Sequence, residues 1–219
     1  MFEDDLKRIK KNLLSMADLV SEALVDAVRA LQMEDKSLAS EVLERDDLID
    51  LKEVEIEEAC LRVIAMRHPV GDELREVFTV LKIITDLERM GDEATNIAKL
   101  VMKLEKGTLP RDSDIISTMT KTCVDMLKDA IKAFLERNSS LAEEAFKKDV
   151  LLDKFYVKTL DQTIFSEVCI NNPTEKMGLL FISRFLERFG DHAANIAERV
   201  YYMVTGKRIK VELGIRKEV

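Results

Sequence analysis

An eleven-residue segment occurs twice in this chain, and its recurrence constrains the fold more than any other feature. Glu88-Arg-Met-Gly-Asp-Glu-Ala-Thr-Asn-Ile-Ala98 matches Glu187-Arg-Phe-Gly-Asp-His-Ala-Ala-Asn-Ile-Ala197 at eight of eleven positions, 99 residues apart. Similarity at a fixed spacing is the mark of one structural unit used twice, each copy covering hydrophobic surface on the other. Composition says what the unit is made of. Only 7 Gly and 3 Pro interrupt 219 residues, and Leu, Ala, Glu, Lys, Met and Arg dominate, as in long helices.

Apolar residues recur with helical periodicity over about 6–31 and 35–66, after which Arg67-His68-Pro69-Val70-Gly71 supplies a break. A third pattern over about 73–104 ends at Lys106-Gly107 with Pro110 beyond it, a helix stop. The second half repeats the series at about 113–136, 139–170 and 174–205, with Asn171-Asn172-Pro173 as its break and Gly206 as its stop. In the first two helices the offset is 103, since Asp26-Ala27 falls on Asp129-Ala130 and Ser37-Leu38-Ala39 on Ser140-Leu141-Ala142. The four-residue change places a length difference near the second interhelical break. The expected fold is all-α: two tandem three-helix bundles, residues 1–108 and 109–219, related by a pseudo-twofold axis.

The formal net charge is −8, from 34 basic and 42 acidic residues. That balance excludes a nucleic-acid partner, which needs a basic field, and points to a cation instead. Cys60, Cys123 and Cys169 are odd in number and far apart in apolar patterns, so they read as free buried thiols of a reducing cytosol. The first residues are acidic where a signal peptide is basic, and no 18-residue apolar run suits a membrane span. A cytoplasmic protein is the expectation.

Aligning the halves filters the 42 acids, because a solvated charge has no reason to recur. Three pairs survive: Glu22 and Asp26 against Asp125 and Asp129, Asp46 and Asp50 against Asp149 and Asp153, Glu88 and Asp92 against Glu187 and Asp191. Every helix then carries an acid-x-x-x-Asp pair, two negative charges one turn apart on one face, a repulsive arrangement. In the second helix the pair shares its stripe with Ala39, Val42, Ile49, Cys60 and Ile64. Carboxylates in such surroundings must be protonated, paired or bound to metal. Three converging pairs per unit supply six carboxylates, enough for more than one hard cation. With no recurring His or Cys, Mg, Mn, Ca or iron suits the set better than a structural zinc site. Zn stays in the range of metals such ligands can take.

The same filter sets Glu53 and Glu57 aside as surface charges, since Tyr156 and Leu160 stand opposite them. Arg89 and Arg188 follow the repeated Glu and read equally as carboxylate partners or as solvated charges. Asn96 and Asn195, one turn past each Asp, are candidate donors to the metal-binding carboxylates. Gly91 and Gly190 interrupt helix interiors, which suggests close helix approach, or else room for metal. His68 and His192 do not recur.

The two Glu-Arg-x-Gly-Asp-x-Ala-x-Asn-Ile-Ala segments, the length, the tandem organisation and the acidic pairs together resemble the PhoU family. The resemblance implies a cytoplasmic accessory regulator of phosphate uptake. It would work with the nucleotide-binding subunit of a phosphate ABC transporter and a phosphate-sensing histidine kinase, without catalysis. It further implies multinuclear metal clusters on the acidic pairs, iron in some members, and admits a homodimer. A carboxylate-bridged di-iron enzyme is the first alternative, but it needs Glu-x-x-His pairs, whereas Ala65 precedes His68 and Phe189 precedes His192 by three. A metal-free helical scaffold is the second. No nucleophile–base pairing, phosphate loop or dinucleotide fingerprint occurs.

Overall fold

A computed structural model describes residues 2–105, 107, 114–164 and 173–214. Its helices are α1 (Phe2–Met33), α2 (Lys36–Arg67), α3 (Gly71–Lys103), α4 (Asp114–Glu136), α5 (Ser139–Ile164), α6 (Pro173–Thr205) and a short α7 (Ile209–Glu212). Six of these are the expected helices, and α7 was not anticipated. The expected end of α5 and its Asn171-Asn172 break lie outside the described residues, as do Cys169, Lys106 and Pro110.

Spacing explains how the helices meet. Along α1 the buried residues Leu6, Ile9, Leu13, Met16, Val20, Ala23, Ala27 and Ala30 alternate steps of three and four, the pattern that lets helices interlock side by side. Along α2 the same series runs Ala39, Val42, Ile49, Ile56, Cys60 and Val63, but Asp46 and Glu53 occupy two of its places. Along α5 it runs Ala142, Ala145, Leu152 and Thr159, with Asp149 and Tyr156 in the matching places. The hydrophobic pattern itself therefore carries an acid into each seam.

The α2 helix packs on α1 and α3, and α5 packs on α4 and α6, while α3 against α6 and α1 against α4 join the halves. The turns obey the repeat. Glu34 and Arg137 both take left-handed backbone, φ 51° and 52°. The next residues, Asp35 and Asn138, each donate a backbone N–H 2.9 Å to a carbonyl in the preceding helix. Their side chains then cap α2 and α5: Asp35 Oδ1 accepts from Ser37 and Leu38, and Asn138 Oδ1 accepts from Leu141. His68, with φ 50°, ends α2 just before Pro69, and Gly206, with φ 72°, follows the end of α6 as expected.

One buried ion cluster pins the halves together. Glu76, 4% exposed on α3, lies 2.6 Å from Lys10 of α1 and accepts at 2.6 Å from Arg137 in the α4–α5 turn. Cys60 and Cys123 are buried free thiols; burial pushes Cys60 up to about 12, and Cys123 donates to the Leu186 carbonyl at 3.1 Å. Among the described residues no helix is long and apolar enough to cross a membrane.

Candidate metal centres

Each half gathers four carboxylates where its second helix meets its third. Asp50 of α2 and Asp92 of α3 both act electrostatically on Asp46 of α2 and on Glu88 of α3. Asp149 and Asp153 of α5 act in the same way on Glu187 and Asp191 of α6. Burial pushes Asp149 up to about 7, and repulsion from Asp191, Asp153 and Glu187 adds to it. Burial also raises Asp46, Glu88, Glu187 and Asp191, each helped by a neighbouring carboxylate. Desolvation comes first because Asp46 and Asp149 occupy core positions of their helices.

The two clusters are not copies. Thr95 hydrogen-bonds Asp46, and Lys99 adds a stabilising positive charge. At the equivalent places the second half has Ala194 and Glu198. Asp149 Oδ1 consequently has no hydrogen-bond partner, and neither does the buried Glu187 Oε2. Glu187 Oε1 is held by Arg184 at 2.6 Å. The positive charge acting on Asp149 comes instead from Lys210 of α7, which pairs with Glu198 at 2.8 Å.

Glycine gives both acids their room. A Cβ on Gly91 would lie 3.1 Å from Ile49 Cδ1 and 3.6 Å from Asp46 Oδ1, whereas one on Gly190 would overlap Leu152 Cδ1 and lie 3.6 Å from Asp149 Oδ1. The packing reading of these glycines holds, and the space they leave borders a carboxylate in each half.

The α1 and α4 pairs stand apart from this arrangement. Asp26 accepts from Arg45 at 2.9 Å and Asp129 from Lys148 at 2.5 Å, while Glu22 is exposed and Asp125 half-buried. Arg45 and Lys148 are themselves repeat partners, so the recurring acid here has a recurring cation. The α1 and α4 acids are thus tied by these cations to the second helix of their own half.

Glu53 corrects the filter in the other direction. It is half-buried, raised by desolvation, bonded to Thr85, and acts on Glu88, so it belongs at the rim of the first cluster. Its counterpart Tyr156 removed it from view.

Arg89 pairs with Glu88 at 3.3 Å and Asp92 at 3.2 Å, whereas Arg188 crosses the α3–α6 seam to Glu93 at 3.2 Å. The two asparagines contact the seam rather than the clusters: Asn96 reaches Glu93 at 3.5 Å, and Asn195 reaches Asp86 at 3.4 Å. His192 also pairs with Asp86, at 2.9 Å.

Among the described residues no group of three or more His, Cys, Asp or Glu side chains is arranged to hold a metal ion. The donors nevertheless have the right chemistry. They are hard oxygens brought together at the cost of mutual repulsion, two of them buried and unpartnered in the second cluster.

A family model for the PhoU domain matches residues 13–101 and again residues 116–200. The chain belongs to the PhoU family. It is 36% identical to the phosphate-specific transport system accessory protein PhoU homolog of Clostridium acetobutylicum, covering 95% of this chain and 96% of that protein. The crystal structure of PhoU from Pseudomonas aeruginosa superposes with a TM-score of 0.88 at 34% identity, over 94% of this chain and 100% of that one. The phosphate transport system regulatory protein PhoU from Streptococcus pneumoniae gives 0.88 at 31% identity, over 95% and 99%. The two PhoU-domain matches fall on the two three-helix bundles, so the repeat of the family and the repeat of the sequence are one.

Proposed function

We propose that this PhoU-family chain is a cytoplasmic, non-catalytic regulator of phosphate uptake that binds hard divalent or trivalent cations at its two α2–α3 and α5–α6 acid clusters. The relatives' names supply the setting, an accessory role in phosphate-specific transport. The observation that carries the cation reading is the unpartnered, buried Asp149 Oδ1 amid Asp153, Glu187 and Asp191. A buried anion without a donor is costly, and a cation offsets that cost. Asp46, Asp50, Glu88 and Asp92 would hold the first cation group, with Glu53 at its rim. Asp149, Asp153, Glu187 and Asp191 would hold the second, bridged ions of iron or manganese suiting both.

The partners in this reading are the nucleotide-binding subunit of a phosphate ABC transporter and a sensor histidine kinase, engaged by protein–protein contact. Elemental analysis of protein purified without chelator, paired with pull-down of the nucleotide-binding subunit, tests both parts. Retained metal that Asp153→Asn diminishes, together with capture of the subunit, is the expected result. Protein that takes up no Mg, Mn or iron and gains no thermal stability from them sinks the cation reading. Failure to capture the subunit sinks the partner.

A further inference from the structure

Within the second cluster Arg184 of α6 serves Glu187 and Asp191, but the positive charge acting on Asp149 comes from outside the three-helix bundle. In the first half Lys99 sits on α3, one turn past Thr95, and moves only with that helix. In the second half the matching residue is Glu198, and Lys210 of α7 bonds it at 2.8 Å with its ammonium 5.8 Å over the Phe146 ring. Phe146 lies one turn before Asp149 on α5, and the Lys210 charge acts on that carboxylate. Among the described residues α7 is seated by the fully buried Ile209 and the Lys210–Glu198 pair, with a Lys207–Glu212 pair at 3.0 Å and a Lys207 N–H to Thr205 Oγ1 bond at 3.1 Å within the segment itself. A left-handed Gly206 leads into it.

We infer that segment 206–212 is a strap at the Asp149 end of the second acid cluster, with Lys210 adding its charge there to that of Arg184, so that metal binding at that cluster and seating of the strap oppose each other. The inference rests on the cation reading above and adds a consequence to it. A metal held by Asp149, Asp153, Glu187 and Asp191 neutralises the charge that attracts Lys210 and repels its ammonium. Two ligands that oppose each other do so by the same factor in both directions. Metal should therefore loosen α7, and loosening α7 should strengthen metal binding. The first cluster has no such strap, because Lys99 is fixed in α3.

The test uses the full chain, Mn²⁺ titrated calorimetrically, and hydrogen exchange of residues 206–213 read by mass spectrometry. Expected is faster exchange of that segment with Mn²⁺ bound, abolished by Asp153→Asn. Lys210→Met and Ile209→Ser, which removes the anchor and keeps the charge, should each tighten Mn²⁺ at the second cluster about fivefold. Lys99→Met should leave the exchange of 206–213 unchanged. Mn²⁺ that binds at the second cluster without altering this exchange, and with the same affinity in Lys210→Met, overturns the strap and leaves the cation reading intact. Absence of Mn²⁺ binding at either cluster overturns the cation reading and the linkage together.

Discussion

Ala194 occupies, in the second half, the position from which Thr95 hydrogen-bonds Asp46 in the first, and Asp149 is left without a donor in consequence. A hydroxyl restored there should bond the carboxylate. Ala194→Thr is expected to stabilise metal-free protein at neutral pH by about 1 kcal/mol, and Thr95→Ala to destabilise it by a similar amount. Urea unfolding in chelator measures both. Effects of the same sign for the two substitutions would refute the proposed equivalence.

The raised carboxylates set an unusual pH dependence. Asp149 is about 7 when folded and lies in the ordinary carboxylate range when unfolded, so the native state holds its proton more tightly. Its contribution is present below the unfolded value and is lost as pH climbs towards about 7. Metal-free protein should lose on the order of 2 kcal/mol between about pH 5 and about pH 8, after discounting for coupling among the acids. Asp149→Asn should flatten that slope. Unfolding midpoints that rise over the same range would contradict the prediction.

The two helix-interior glycines should respond differently to alanine. At Gly91 the added methyl meets Ile49 Cδ1 at 3.1 Å, and the helix-propensity gain of about 1 kcal/mol nearly cancels that crowding. At Gly190 the methyl overlaps the fully buried Leu152, so Gly190→Ala should destabilise by about 1–3 kcal/mol. Thermal unfolding of the two variants ranks them, and a larger loss at Gly91 would show that Leu152 yields readily.

Glu76 is the charge most exposed to loss of context. Glu76→Ala strips a buried anion from Lys10 and Arg137 and should cost about 3 kcal/mol, while Glu76→Gln, which keeps the shape and accepts hydrogen bonds, should cost less. Arg137→Met probes the same cluster from the α4–α5 turn. If all three unfold like wild type, the cluster adds nothing to the union of the halves.

Most of the architecture was legible in sequence because helical periodicity and repetition are both properties of the chain itself. Asp46 and Asp149 could be found because they interrupt an apolar series at the same place twice. The cation partners of the α1 and α4 acids were legible too, since Arg45 and Lys148 stand 103 residues apart just as Asp26 and Asp129 do. Glu53 was lost for the reverse reason, since a feature confined to one half leaves no echo. The seam contacts of Asn96, Asn195 and Arg188 depend on the α3–α6 packing, which no local pattern encodes. The α7 helix has four residues, too few to establish a period.

The α3–α6 seam has a consequence for ancestry. Two third helices packed about a pseudo-twofold axis are, in outline, a dimer interface whose subunits have become one chain. The first half still carries a self-complementary set, since Arg89 and Glu93 stand where Arg188 and Glu93 now meet. The second half has no such set: His192 stands at the position of the glutamate and reaches Asp86, whose own counterpart is Phe185. A self-complementary pair of positions is thus present on one side of the seam only, so the two third helices are not interchangeable there.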